Sequence, residues 1–268
     1  MIFSMSSCSI AGSWVYERLD NYLADYFKEF ADFSREQNQE IELISTEFIN
    51  WFSENELIKL KGILEKLKKI NMQNSEKEIS SIYEDAEGIF TRSNFYFKSP
   101  IISFTKKINE VQIGQIGSHF KELREKREKE RSENGYSLIE NYISGFDRIG
   151  IKLRVDQIDE INFKLENHIE VREEWSNLQG QWIEEFIKLL KYNQSSDYET
   201  KMSAYLDSLE ELGDQKFREK IDKNELLAQR IINFVFKTSN EKQIESFNRS
   251  LDIYLKSINR ILSKRQVN

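Results

Sequence analysis

With one proline and ten glycines, this 268-residue chain cannot place a turn residue at every strand reversal. Sheet architectures depend on such residues at each hairpin, so the scarcity points to long helices joined by short loops. A single cysteine excludes an intramolecular disulfide framework and a thiolate zinc site. The two histidines, His119 and His168, are too far apart for a His-Glu-x-x-His pair on one helix. No apolar run reaches the roughly 18 to 20 residues that span a bilayer. Charge of one sign is also missing. Basic and acidic residues, 39 and 46 of them, are mixed along the chain for a net −7. Phosphate binding needs a concentrated basic surface, so nucleic acid is not an expected partner.

What is present is helical. Apolar residues are 39% and charged residues 32% of the chain, within the globular range, and the length suits one large domain. Ser34-Arg-Glu-Gln37, Ser53-Glu-Asn-Glu56, Ser75-Glu-Lys-Glu78 and Ser196-Asp-Tyr-Glu199 all read as capping boxes, in which serine and the N3 side chain satisfy each other's backbone amides. Ser99-Pro100 reads as an N-cap followed by proline at the first helical position. Leu57, Leu60, Ile63, Leu64, Leu67 and Ile70 form one periodic face, and Met202, Tyr205, Leu206, Leu209 and Leu212 another. Gly150 and Gly213 fall where left-handed C-caps are expected. The expected fold is all-α, a multi-helix bundle of roughly eight to ten antiparallel helices joined by short loops. Residues 14–268 form its single domain, with the least defined joint at "NQSSD" (193–197).

A faint repeat runs through these starts. Gln37, Gln112, Gln157 and Gln243 each stand in a first turn, followed four residues later by Ile41, Ile116, Ile161 and Phe247. Ser34, Asn109 and Asn240 suit the cap positions, whereas Arg154 is a poor cap. Recurrent capping chemistry or duplicated helical hairpins would each produce the pattern. The spacing is too uneven for a regular solenoid.

Catalytic motifs are scarce. No Gly-x-Ser-x-Gly elbow occurs, and "GQIG" (114–117) lacks the glycine spacing and lysine of a phosphate loop. Glu173/Glu174 and Glu184/Glu185 are adjacent on helices and point apart. His168 with Glu166 or Glu170 is the nearest approach to a metal set; structural histidines are the simpler reading, and no metal or cofactor is expected. "KELREKREKERSE" (121–133) carries six positive and five negative charges, a solvated helix face. The aromatics are richer. Trp175 and Trp182 lie one heptad apart with Phe186 on the same face, a core stripe or a ligand groove formed by Trp175, Trp182 and Phe186. Trp14, Tyr22, Tyr26, Phe30 and Phe33 either pack into the bundle or sit at headgroup depth, packing being the expected outcome.

The N-terminus carries an address. Met5-Ser-Ser-Cys8 has the apolar-small-small-cysteine order of a bacterial lipobox, in which the thiol becomes a thioether to diacylglyceryl. Residues 1–7 read as a truncated remnant of the signal peptide, too short for basic and apolar regions. An in-frame upstream extension is expected to supply both. Beyond it, "CSIAGSWVYERLDNYLADYFKEFADFSREQ" (8–37) resembles a family of uncharacterised Gram-negative lipoproteins with a domain of unknown function. The resemblance rests on Tyr16, Leu19 and Asp20, on Tyr22, Tyr26 and Phe27, and on Glu36 and Gln37. It continues through "LREKREKE", "VDQIDEI", Arg172 and Trp175 of "VREEWSNLQGQWIEEF", and "KTSNEKQIESFNRSLDIYLKSINRI". Many members carry Trp-His on the second helix where this chain has Trp51-Phe52, so no role of that histidine transfers.

The resemblance implies an all-helical periplasmic lipoprotein. Cys8 would be lipidated and Ser9 would favour outer-membrane sorting, with residues 8–13 as anchor and tether facing the periplasm. The expected partners are the membrane, through that anchor, and an unknown envelope protein. A non-catalytic binding or structural module is the leading expectation; an envelope hydrolase with a site between helices and a chaperone-like client binder are the alternatives.

Overall fold

A computed structural model describes residues 16, 18–71, 73–135, 137–208 and 212–265. Cys8, Ser9, Trp14, the leader at 1–7 and the tether at 8–13 lie outside them. Among the described residues the chain forms eleven α-helices and no strand. These are α1 (Leu19–Lys28), α2 (Arg35–Asn55), α3 (Leu57–Lys68), α4 (Ser75–Thr105), α5 (Glu110–Asn134), α6 (Leu138–Arg148), α7 (Val155–Leu165), α8 (Arg172–Leu190), α9 (Tyr198–Asp207), α10 (Gln215–Thr238) and α11 (Glu241–Arg265). The all-helical class is as the composition indicates. The count exceeds the expected roughly eight to ten. The count is raised by short elements, since α1, α6, α7 and α9 run only ten or eleven residues each.

Several helix starts differ from their sequence signatures. The box at Ser34–Gln37 forms, as do the Asn109 and Asn240 caps. Ser53, however, lies inside α2, where its hydroxyl donates back to the Ile49 carbonyl. Ser75 is the first residue of α4 rather than its cap, and bonds Asn233 across to α10. Asp197, not Ser196, stands at the N-cap position of α9, and its side chain makes no capping hydrogen bond. Pro100 sits within the 31-residue α4, and "SNFYFKS" is part of the same helix. At Ser53 and Pro100 the local signature is outweighed by apolar surface that continues past it and is buried by neighbouring helices. Gly150 and Gly213 do adopt positive φ, 86° and 89°. At Gly150 a Cβ would also lie 2.4 Å from Ser250 Oγ, so glycine lets the α6–α7 loop rest on α11.

Helix α4, roughly 45 Å long at 1.5 Å per residue, serves both ends of the molecule. Its first half packs with α3 and α10, and its last turns meet α2 and α9. One core gathers Ile79, Phe146, Ile151, Ile161, Ile231, Val235 and Phe247; another gathers Ile108, Ile113, Ile116, Leu190, Tyr198 and Met202. The 193–197 stretch is no linker. Asn193 is buried and donates from Nδ2 to the carbonyls of Thr105 and Ile108, 2.8 Å each, tying the α8–α9 loop to the α4–α5 loop.

The four glutamines of the repeat explain how the helices are registered. All are buried, and they meet in pairs, Gln37 with Gln112 and Gln157 with Gln243. Each pair joins the second helices of two helix–loop–helix units: α2 with α5, and α7 with α11. Gln112 Nε2 donates to Gln37 Oε1 at 2.7 Å, and Gln37 Nε2 returns to Gln112 Oε1 at 3.2 Å. Each amide also donates to the residue five positions before its partner: Gln37 to Lys107 O, Gln112 to Asp32 O, Gln243 to Lys152 O, and Gln157 to Thr238 Oγ1. Each Oε1 accepts the backbone N–H of its own cap residue, Ser34, Asn109, Arg154 or Asn240. Capping and pairing are thus one device, used twice.

Removing one amide leaves the other buried with lost partners. Gln37→Ala and Gln112→Ala are each expected to cost about 2 to 3 kcal/mol. A double-mutant cycle in urea should show the pair to be strongly non-additive, while Gln37→Ala with Gln157→Ala adds within about 0.5 kcal/mol. Additivity within the Gln37–Gln112 pair would show that the clasp is not a unit.

Candidate functional site

Beside each glutamine clasp lies an apolar cavity. The first, about 240 Å³, is lined by α1, α2, α4, α5, α8 and α9 and opens to solvent. Its walls are largely aromatic: Phe27, Phe30, Phe97, Phe104, Phe120, Trp182 and Phe186, with Ile41 and Ile116 one turn past the clasp glutamines. The rings interlock. Phe30 meets Phe120 at 5.0 Å, Phe120 meets Phe186 at 6.4 Å, and Phe186 stacks on Trp182 at 5.7 Å with planes 7° apart. Tyr205 of α9 stacks on Trp182 at 4.8 Å and its hydroxyl donates to the Trp182 carbonyl. Burial pushes that phenol well above its ordinary pKa, so it remains a donor throughout the physiological range. Pro100, which has no amide to offer the Tyr96 carbonyl, also lines the cavity.

Trp182 and Phe186 therefore share one wall, as their spacing suggests. Trp175 does not join them. It is 40% exposed and stacks on Phe217 of α10 at 5.9 Å, because α8 passes from α10 to α9 along its length. Two polar atoms near this cavity are buried with no hydrogen bond among the described residues: the Trp182 indole Nε1 and His119 Nε2, the latter on a ring 4.4 Å from Phe30. Unsatisfied buried donors are rare in folded proteins and call for a partner.

The N-terminal aromatics divide. Phe30 and Phe33 pack into the core, whereas Tyr22 and Tyr26 are 55% and 46% exposed beside an open groove completed by Tyr16, Leu19, Phe48 and Phe52. Among the described residues no group of three His, Cys, Asp or Glu side chains could hold a metal ion. Glu170 is instead engaged by Arg172, whose guanidinium holds the carboxyl down at about 2. On the solvated stretch of α5, Lys121–Glu125 and Arg124–Glu128 form the i,i+4 pairs. No helix among the described residues is long and apolar enough to cross a membrane.

One ionised side chain is fully enclosed. Glu56, 1% exposed at the α2–α3 break, accepts two hydrogen bonds from Arg92 at 2.8 and 2.7 Å and one from Lys59 at 2.8 Å. The missing Cβ of Gly88 leaves room for the guanidinium, which would lie 2.9 Å from it. Neither the Ser53 signature nor the Leu57 periodicity reveals this node, since Arg92 is 36 residues distant. Searches with the whole chain find no match among protein-family models, characterised proteins or solved structures.

The Arg92 hydrogen bonds, aided by Lys59, hold the Glu56 carboxyl below its ordinary value, against the upward push of burial. A depressed carboxylate stabilises the fold above its unfolded pKa, and that stabilisation is lost as pH falls through the folded value. Glu56→Gln should cost about 2 kcal/mol near pH 7. The difference from wild type should shrink once pH drops below about 4. Urea unfolding curves across that range measure it; a constant difference would show that ionisation of Glu56 contributes nothing.

Proposed function

We propose that this chain is a non-catalytic binding module of the cell envelope, an antiparallel helical bundle tethered by lipid on Cys8 to the periplasmic face of the outer membrane. It would hold a small apolar, ring-bearing ligand in the aromatic cavity and present it to an envelope partner. The observation that carries the binding reading is the cavity itself. Its walls offer stacking surfaces and no ionisable side chain, which suits holding an apolar group rather than moving protons. A volume of about 240 Å³ exceeds an engineered, dry cavity of about 150 Å³ that admits benzene. The lipobox order at Met5–Cys8 and the resemblance to lipoproteins support the anchor. Several acyl chains on one residue would hold it stably where one would not.

Two experiments test these parts separately. Quinoline, two fused rings with one acceptor, should raise the thermal midpoint of the wild-type chain in a saturable way. Ile44→Trp, which fills the cavity from α2, should abolish the response; no response in wild type would overturn the binding reading. Palmitate labelling in cells, with the gene's native upstream region, should mark wild type and not Cys8→Ser. Equal labelling would overturn the anchor.

A further inference from the structure

The second half of the molecule repeats the clasp, and a second apolar space lies beside it, lined by α11 of the clasp but by no residue of α7. A space of about 420 Å³ lies between α3, α4, α6, α10 and α11. Phe247 and Leu251, four and eight residues after Gln243, line it as Ile116 and Phe120 line the first below Gln112. Phe146 and Ile149, near the end of the helix preceding Gln157, stand where Phe27 and Phe30 precede Gln37. The chemistry of the walls has changed. Rings dominate the first cavity; in the second, seven leucines and isoleucines stand beside three phenylalanines and three tyrosines.

The polar side chains that line its edge are themselves uncharged. Tyr83, Tyr142 and Tyr254 bring phenols and Asn141 an amide, and no acidic or basic side chain is among the lining residues. Tyr254 and Asn141 are exposed, whereas Phe146, Ile79 and Phe247 at the floor are buried. An apolar floor of aliphatic and aromatic side chains, neutral hydrogen-bonding groups at the mouth and a volume inside the usual range of about 300 to 1,000 Å³ suit an amphiphile. No lining side chain offers a counter-charge to a charged headgroup. We infer that this second cavity binds a single-chain lipid with an uncharged, hydroxyl-bearing head, of the monoacylglycerol class, with its tail among the aliphatic side chains. The inference rests on the binding-module reading and adds a second ligand, chemically distinct from the first.

Gly145 of α6 lies on the rim, exposed, and a Cβ built on it meets nothing within 4 Å. Gly145→Phe should therefore plug the mouth without disturbing the fold, and Gly145→Leu serves as a second plug. The wild-type chain, titrated calorimetrically with 1-monododecanoylglycerol below its micellar concentration, should bind saturably. Both plugs should weaken binding at least about tenfold with no fall in thermal midpoint, and Ile44→Trp in the first cavity should leave it unchanged. Equal binding by the plugged variants, or no saturable binding by wild type, overturns the inference. Loss in Ile44→Trp alone overturns it too and assigns the lipid to the first cavity, leaving the binding-module reading intact. Tighter binding of dodecanoate than of the monoacylglycerol overturns the neutral-head assignment.

Discussion

A primary amide has two N–H donors and an oxygen with two lone pairs, and burying it is tolerable only when all four are used. The Gln37–Gln112 pair meets that condition in full. Each oxygen takes its own cap N–H and the partner's amide; each nitrogen serves the partner's oxygen and a carbonyl of the partner's loop. Glutamate has no donors to return, and asparagine is a methylene shorter, so neither completes the set. The two helix starts are thereby fixed to each other as well as capped, which sets where Ile41 and Ile116 fall one turn later. Those side chains form the wall of the cavity immediately beneath.

The second clasp shows the same logic under a different constraint. Gln157 reaches Thr238 Oγ1 rather than a carbonyl, because the Thr238 carbonyl is taken by the Arg154 guanidinium at 3.1 Å. Arg154 Nη1 also fills the second lone pair of Gln243 Oε1 at 2.7 Å, the place held in the first clasp by the partner amide. Asp156 balances its charge and is held below its ordinary pKa by it. An arginine that cannot accept a hydrogen bond is a poor N-cap, yet at this position it is the group that completes the clasp. Lone-pair satisfaction across two elements, rather than capping within one, decides which residue stands there.

Much of this architecture is legible in one dimension, and the rest is not for a definite reason. The helical class follows from turn-residue scarcity, and the clasp glutamines are visible as a recurrence four residues ahead of an apolar position. Their pairing is not visible, since the partners are 75 and 86 residues apart and nothing local distinguishes Gln37 from any other N3 residue. The same limit misplaces Ser53, Ser75 and Ser196 as caps and Pro100 as a first-turn residue. Those signatures describe what a helix end requires of its neighbours, while continuation of α2 and α4 is decided by surface that distant helices cover. Trp175 fails to join Trp182 for a related reason: heptad spacing places both on one stripe of α8, but the partners of that stripe change from α10 to α9.

Repetition of a clasp also constrains what can diverge. The amides, caps and loop acceptors must keep their geometry, because any loss strands a buried polar group at a cost of about 1 to 3 kcal/mol. Residues facing the space below answer only to volume and apolarity, a weaker demand that many side chains satisfy. The first cavity is accordingly dominated by phenyl rings and an indole, while the second mixes leucine and isoleucine with phenylalanine and tyrosine, beside clasps of the same kind. Helix α4 contributes to both, with Ile79, Ile82 and Tyr83 at one end and Phe97, Ile101 and Phe104 at the other. A change of packing in one cavity that shifted this helix along its axis would reach the other by a rigid element. The Glu56–Arg92 ion pair, anchored near its middle, resists that shift.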